Sequence, residues 1–376
     1  MRQALDGLRI LDFSRVLAGP LATMVLADLG AEVTKVERPG AGDDTRSWGP
    51  PYDDRGEATY FQSVNRNKTS LVLDLGDRND LEHARALARE ADVLVENFRP
   101  GVMDRLGLGY DNLRSANDDV ILCSITGFGP GAGAKLPGYD LLVQAVGGLM
   151  SITGEPRGEP QKVGVALIDV ITGLYASVGI LAAVRHRERT GEGQRVEVDL
   201  LTCLLSALVN QGSAYTMAGV VGGRMGNAHP SIAPYELYRT ADRDLVLAVG
   251  NDRQFSALCE QLGAPGLAAD KRFGTNSARV ANRHALRTEL EARLATRPAS
   301  AWVSILNQTG VPAGEVNDIA GAFALAELLG LDPVVEVPRE DGTTARLTRN
   351  PIRLSATPPH YRTAPPTIPQ HAPARA

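Results

Sequence analysis

Between residues 8 and 125 the chain alternates short apolar strands with helical stretches, and no other feature restricts its fold as much. Residues 8–13 read as a strand, and Ala18-Gly-Pro20 opens a helix with proline in its first turn and Gly30 at its end. Residues 32–37 form the next strand; further strands fit 70–73, 93–95 and 120–125, with a helix over 81–89. Strand and helix alternating at these lengths is the pattern of a mostly parallel, doubly wound sheet. The expected fold is therefore α/β, with a Rossmann-like large domain over residues 1–219.

Beyond Gly219 the composition changes. Turn-rich Gly222-Gly-Arg-Met-Gly-Asn-Ala-His-Pro230 leads to a strand at 245–249 and polar helical stretches at 252–262, 282–295 and 299–309, a smaller α/β domain over 220–328. Residues 329–376 return to the large domain through a hairpin around Asp341-Gly342 and end in a Pro-rich tail from Ala356 that reads as extended or loosely packed.

Composition narrows the function classes. A net charge of −5 without a basic block points away from nucleic acid. Cys123, Cys203 and Cys259 are widely spaced, which fits neither a disulfide scaffold nor a zinc ribbon. No signal-peptide apolar run precedes the first strand. The most apolar stretch, 173–184, ends in Arg185-His-Arg-Glu-Arg189; it is too short to span a bilayer and reads as a buried helix, with Val170, Leu174, Val178 and Leu181 facing the core. A cytoplasmic protein with no membrane partner is expected.

Asp169 interrupts that apolar run, in Ala166-Leu-Ile-Asp-Val-Ile-Thr-Gly173. A carboxylate there loses solvation unless it is capped, paired or used. It fits first the N-cap of a helix starting at Val170 and second a functional carboxylate; the two are compatible, since a cap also aims the group.

Other motifs frame it. The first β–α turn, Leu17-Ala-Gly-Pro-Leu-Ala-Thr23, lacks the G-x-G-x-x-G spacing through which a dinucleotide pyrophosphate approaches. Glu37 is followed by Arg38, better placed for a phosphorylated ribose than for a plain diol. Asn97, Arg99 and Arg105 leave a strand near the sheet's carboxyl edge, where open α/β sheets bind ligands. The segment from Ile125 to Asp140 is glycine-rich and permissive but matches no Walker motif, and Asp140 fits the cap of a helix starting at Leu141. His83, His186, His284, His360 and His371 sit in polar or terminal settings; only His229, in a turn-rich stretch, is a candidate for function. With no nucleophile elbow, metal-spaced histidines or obvious histidine base, a carboxylate nucleophile becomes reasonable.

Taken in order, Leu11-Asp-Phe13 with Ala18-Gly-Pro20, Gly30-Ala-Glu-Val-Thr-Lys-Val-Glu-Arg38, Asn65-Arg-Asn-Lys68, Val95-Glu-Asn-Phe-Arg-Pro-Gly101, Ile125-Thr-Gly-Phe-Gly129, Gly138-Tyr-Asp140 and Arg189-Thr-Gly-Glu-Gly-Gln194 resemble the class III CoA-transferases of the formyl-CoA transferase/carnitine CoA-transferase type. The resemblance runs from Leu8 to about Pro359. It implies that Asp169 is the nucleophile and that no cofactor is tightly bound, a coenzyme A thioester being the substrate. It further implies Arg38 and Arg105 near the CoA phosphates, Asn97, Phe98 and Tyr139 along the ligand, Arg99 and Lys135 as looser contacts, and a homodimer of interlocked chains. An ionised carboxylate at pH 7 needs no separate base.

Related racemases share the aspartate but place histidine in a Gly-His-Asp motif. Here Tyr139 stands in that position, and a phenol with a pKa of about 10 is a poor base near neutrality, so transfer is expected. A non-catalytic CoA-binding scaffold is the remaining alternative. Leu17 stands where oxalate-handling members carry glutamine, and Gly226-Asn-Ala-His-Pro-Ser231 is a poor match to their polyglycine lid, so formyl-CoA:oxalate transfer is not expected. Ser14-Arg-Val-Leu17, Pro137-Gly-Tyr-Asp140 and the segment around His229 look more like succinyl-CoA-dependent dicarboxylate members. Arg15 or Arg46 is then a candidate for a distal carboxylate, with Leu17, Asp140 and His229 beside the substrate.

Overall fold

The computed structural model describes residues 2–369, so His371 lies outside it. The larger unit comprises residues up to Leu149, Lys162–Val220 and the chain from Asp332 onward. Its centre is a six-stranded sheet of β1 (Arg9–Asp12), β2 (Glu32–Glu37), β3 (Lys68–Val72), β4 (Val93–Glu96), β5 (Ile121–Thr126) and β6 (Arg195–Asp199), in the order β3-β2-β1-β4-β5-β6. Every pairing is parallel. Parallel strands buried on both faces read as continuous apolar runs, and Val93, Leu94 and Val95 are all fully buried. Alternation still divides the layers: Ile10, Val93, Val95 and Ile121 face one helical layer, Leu11, Leu94 and Leu122 the other. The sequence reading lacks β6, whose charged ends hide it.

On the first face lie α1 (Ala18–Asp28), α3 (Asp140–Val146), α4 (Leu167–Thr190) and α5 (Leu200–Ala207); α2 (Arg78–Glu90) covers the second through Ala84 and Ala88. At 24 residues α4 is longer than expected, and it has the length and composition to cross a bilayer. Its inward face is also not the expected one. Ile168, Gly173, Ala176, Ile180 and Ala183 are buried, whereas Leu174 and Val178 are 48% and 63% exposed. The reason is proximity to α1: a Cβ on Gly173 would sit 2.5 Å from the Ala18 carbonyl oxygen, so only the small-residue face fits there.

The hairpin of β10 (Val334–Pro338) and β11 (Thr344–Thr348) appears as read from the sequence. Of the two readings of the tail, extended or loosely packed, the described part, up to residue 369, matches the first: it has no helix or strand and is pinned by hydrogen bonds. The His360 N–H donates to the Asp28 carbonyl at 2.8 Å, and Arg362 donates to the carbonyls of Ala27 and Ala31.

The second unit, Met150–Gln161 with Val221–Leu331, holds an antiparallel sheet of β7 (Tyr235–Arg239), β8 (Asp244–Ala248) and β9 (Ala313–Glu315). Helices α6 (Asp252–Gln261), α7 (Arg283–Leu294) and α8 (Ala299–Gln308) bury Phe255, Leu290 and Trp302 in its core. Residues 150–161, read from sequence as part of the large domain, belong here. The Gly226 N–H donates to the Gly154 carbonyl, and Arg224 donates to the carbonyls of Glu155 and Gly158.

Candidate active site

The strand order reverses at β1, which pairs with β2 on one side and β4 on the other. Connections leaving such adjacent strands diverge to opposite faces and open a crevice at their carboxyl ends. A cleft of about 360 Å³ lies there. The exit of β1 supplies Arg15, Leu17 and Ala18, the exit of β4 supplies Asn97, Phe98 and Arg99, and α4 supplies Asp169. Asp44 and Leu200 complete the lining, and the glycine-rich segment after β5, up to Tyr139, forms another wall. Its neck closes where Gly127 meets Gly138: a Cβ on either would fall about 2.5 Å from the other's Cα.

Asp169 is the third residue of α4, not its N-cap; that position is Ala166, which contributes no side-chain bond. The cap comes from elsewhere in the chain. Asp140 Oδ1 accepts the N–H groups of Ile168 at 2.8 Å and Asp169 at 3.4 Å, and Oδ2 accepts from Gln144 Nε2 at 2.5 Å. Gln144 Oε1 in turn accepts the Val163 N–H at 2.9 Å. Asp140 is itself in the first turn of α3, so it bridges two helices rather than simply capping its own. Burial, and then the Asp140 charge, push the Asp169 carboxyl up to about 7. Such a group is about half ionised at neutral pH and more basic than an ordinary carboxylate, so the fully ionised nucleophile expected from sequence is only partly present at pH 7.

The other expected residues divide. Arg15, Leu17, Asn97, Phe98, Arg99 and Tyr139 line the cleft, with Tyr139 65% exposed. The Asn97 side chain is spent on the protein: Oδ1 accepts the Arg15 N–H at 2.9 Å and Nδ2 donates to the Arg15 carbonyl at 2.7 Å. Arg15 lies 5.0 Å over the Phe98 ring. Arg38 pairs with Asp44, a residue of the cleft wall. Lys135 is exposed between the wall residues Ala134 and Leu136, and Arg105 is exposed at the end of the short helix Val102–Arg105.

Arg46 does not line the cleft. It makes two bonds of 2.7 Å to Glu37, donates to the Pro366 carbonyl and stacks 3.7 Å over Phe61, so no donor fork is left for a substrate. His229 belongs to the second unit, where its Nδ1 accepts the Ser231 N–H at 3.1 Å and its ring packs on Tyr235.

Tyr60 has no counterpart in the sequence reading. Burial, and then the charges of Asp169 and Asp140, push its phenol up, and its ring packs against the apolar cluster of Leu17, Met24 and Val64. It packs edge-on against Trp48 with ring centres 5.4 Å apart. Trp48 follows a 3-10 turn and Tyr60 sits in the four-residue helix Thr59–Gln62, elements too short to carry a pattern that marks the pair as part of a site. Among the described residues no group of His, Cys, Asp or Glu side chains stands together as a metal site.

The model of CoA-transferase family III matches residues 5–372. A succinate–glutarate CoA-transferase of Agrobacterium fabrum is 43% identical over 373 residues, 98% of this chain and 93% of its own length. An acetyl-CoA:oxalate CoA-transferase of Acetobacter aceti is 40% identical over 366 residues, covering 96% and 92%. The crystal structure of a CAIB/BAIF family protein from Brucella suis superposes with a TM-score of 0.86 at 43% identity, covering 98% of this chain and 97% of that one. The chain thus belongs to CoA-transferase family III and is an enzyme that moves CoA from an acyl-CoA donor to a carboxylate acceptor.

Proposed function

We propose that the donor is succinyl-CoA, that the acceptor is a small dicarboxylic acid, and that Asp169 carries the transfer covalently. The observation that carries the mechanism is Asp169 itself. Its carboxylate lies on the cleft wall, is raised in basicity by burial, and is assigned no hydrogen bond among the described residues. In the proposed cycle an Asp169 oxygen attacks the thioester carbonyl and expels CoA thiolate, leaving a mixed anhydride. The thiolate attacks the Asp169 carbonyl and expels succinate, giving an aspartyl-CoA thioester. The acceptor carboxylate attacks that thioester and expels the thiolate, which then attacks the new acyl carbonyl and frees Asp169. Backbone donors of the glycine-rich wall suit the developing oxyanions.

The choice of dicarboxylate is supported by the relatives named for succinate with glutarate and for succinyl-CoA with mesaconate. Arg15 is the candidate for the distal carboxylate, since Arg46 is committed to Glu37. Arg38, Arg105 and Lys135 remain candidates for the CoA phosphates. A homodimer is part of the reading, and the large apolar side chains Leu174, Tyr175, Val178, Leu205, Tyr215 and Met217, which stand exposed on consecutive helices, suit a face that a second copy would cover. The test incubates the protein with succinyl-CoA and, separately, glutarate, mesaconate, itaconate, citramalate, malate and oxalate, following CoA thioesters by mass. New thioesters with glutarate, mesaconate or another of the longer diacids support the reading; failure to form a thioester with any of these longer diacids contradicts the acceptor assignment.

A further inference from the structure

Two buried charge pairs stand behind the cleft, and the cycle above uses neither. Lys35 pairs with Asp43 at 2.9 Å and Lys68 with Asp12 at 3.2 Å, and all four side chains are sealed from solvent. Charges so deep persist only when each is satisfied. Here Lys68 also donates to the Pro20 carbonyl and Asn65, and Asp12 accepts from the Ser14 and Thr23 hydroxyls. Burial opposes the charge on Asp12 and Asp43, but the lysines, with Ser14 and Thr23 at Asp12 and the Thr45 N–H and hydroxyl at Asp43, outweigh it and hold both carboxyls below their usual range.

The network converges on residues 14–16. Lys35 Nζ donates to the Ser14 carbonyl at 2.8 Å, and Asp12 accepts the Ser14 N–H at 2.9 Å. Asn97 takes both backbone groups of Arg15, and both Asp43 oxygens lie 3.3 Å from the Val16 nitrogen. Val16 has φ 70°, a left-handed conformation that is strained for a β-branched residue and persists only where its surroundings fix it. Arg15, Val16 and Leu17 all line the cleft.

We propose that the buried Lys35–Asp43 pair is a positioning device that holds Val16 left-handed and thereby sets where Arg15 and Leu17 stand in the cleft. This rests on the reading of that cleft as the acyl-CoA site. The double variant K35M/D43L replaces the pair by apolar side chains, which buried pairs often tolerate. Expected is a folded enzyme whose kcat falls about a hundredfold, the scale of an ångström's misplacement. Adding V16G, which adopts this φ without strain, recovers at least about tenfold of the loss. A double variant with wild-type kcat, or a triple variant no faster than the double, overturns the proposal. If K35M/D43L does not fold, D43N carries the same test and the same rescue, with the same two overturning results. Failure of the cleft reading would appear separately, as transfer that survives D169A in the otherwise wild-type enzyme.

Discussion

Asp140 Oδ1 accepts the backbone N–H groups of Ile168 and Asp169, so one carboxylate caps the helix that presents another. The cap fixes the first turn of α4, and its charge disfavours ionisation of Asp169. Asp140→Asn keeps an oxygen for the cap and removes the charge. The pH midpoint of transfer is then expected to move to lower pH, read from kcat/KM profiles. Asp140→Ala also orphans the capped N–H groups and is expected to lower stability by about 1–3 kcal/mol in denaturant titrations.

Ionised Asp169 is the attacking form in the proposed cycle, so kcat/KM is expected to rise with pH and level off above about 7. Stability runs the other way. The folded-state pKa lies above the ordinary 3.8, so the folded protein binds this proton more tightly than the unfolded chain between these values. Asp169's contribution therefore falls as pH rises through that window, and the whole penalty stands above about 7. Asp169→Asn is expected to be more stable than the wild type at pH 8, by on the order of 4 kcal/mol at most, with the gap closing towards pH 4. Thermal unfolding of both proteins across that range checks the sign.

Gly173 lies one turn beyond Asp169, against the carbonyl that begins α1. Gly173→Ala places a Cβ 2.5 Å from the Ala18 oxygen, and backbone cannot yield as a side chain can. A loss of about 1–3 kcal/mol is expected, together with a fall in kcat larger than any change in KM, since the shift moves Asp169 relative to the β1 exit.

Tyr139 lines the cleft, and it stands where a Gly-His-Asp motif would place a histidine base. If it serves only as a wall, Tyr139→Phe keeps kcat within about fivefold, against the hundredfold or more that removal of a general base costs. Deuterium exchange at the α-carbon of a 2-methylacyl-CoA is expected to be absent in both proteins.

The parallel sheet was legible because strand–helix alternation from β1 to β5 depends on local composition. The cleft was legible in outline, since Asn97 and Arg99 follow a strand and therefore lie at the sheet's carboxyl edge. What stayed hidden depends on partners distant in the chain. Asp169 looks like a cap until Asp140 fills that role, and Arg46 looks available until Glu37 takes its fork. The inward face of α4 defeats hydropathy because closeness to α1 selects Gly173 and Ala176 over Leu174 and Val178. Nothing in the sequence pairs Lys35 with Asp43, and only the fold buries them together.

The most direct measurement is the mass of the enzyme quenched during turnover with succinyl-CoA, followed by peptide mapping. The expected result is a CoA-sized adduct on the peptide containing Asp169, absent in Asp169→Ala, which also loses transfer. An adduct on another residue, or an Asp169→Ala enzyme that transfers CoA at the wild-type rate, would contradict the proposed mechanism.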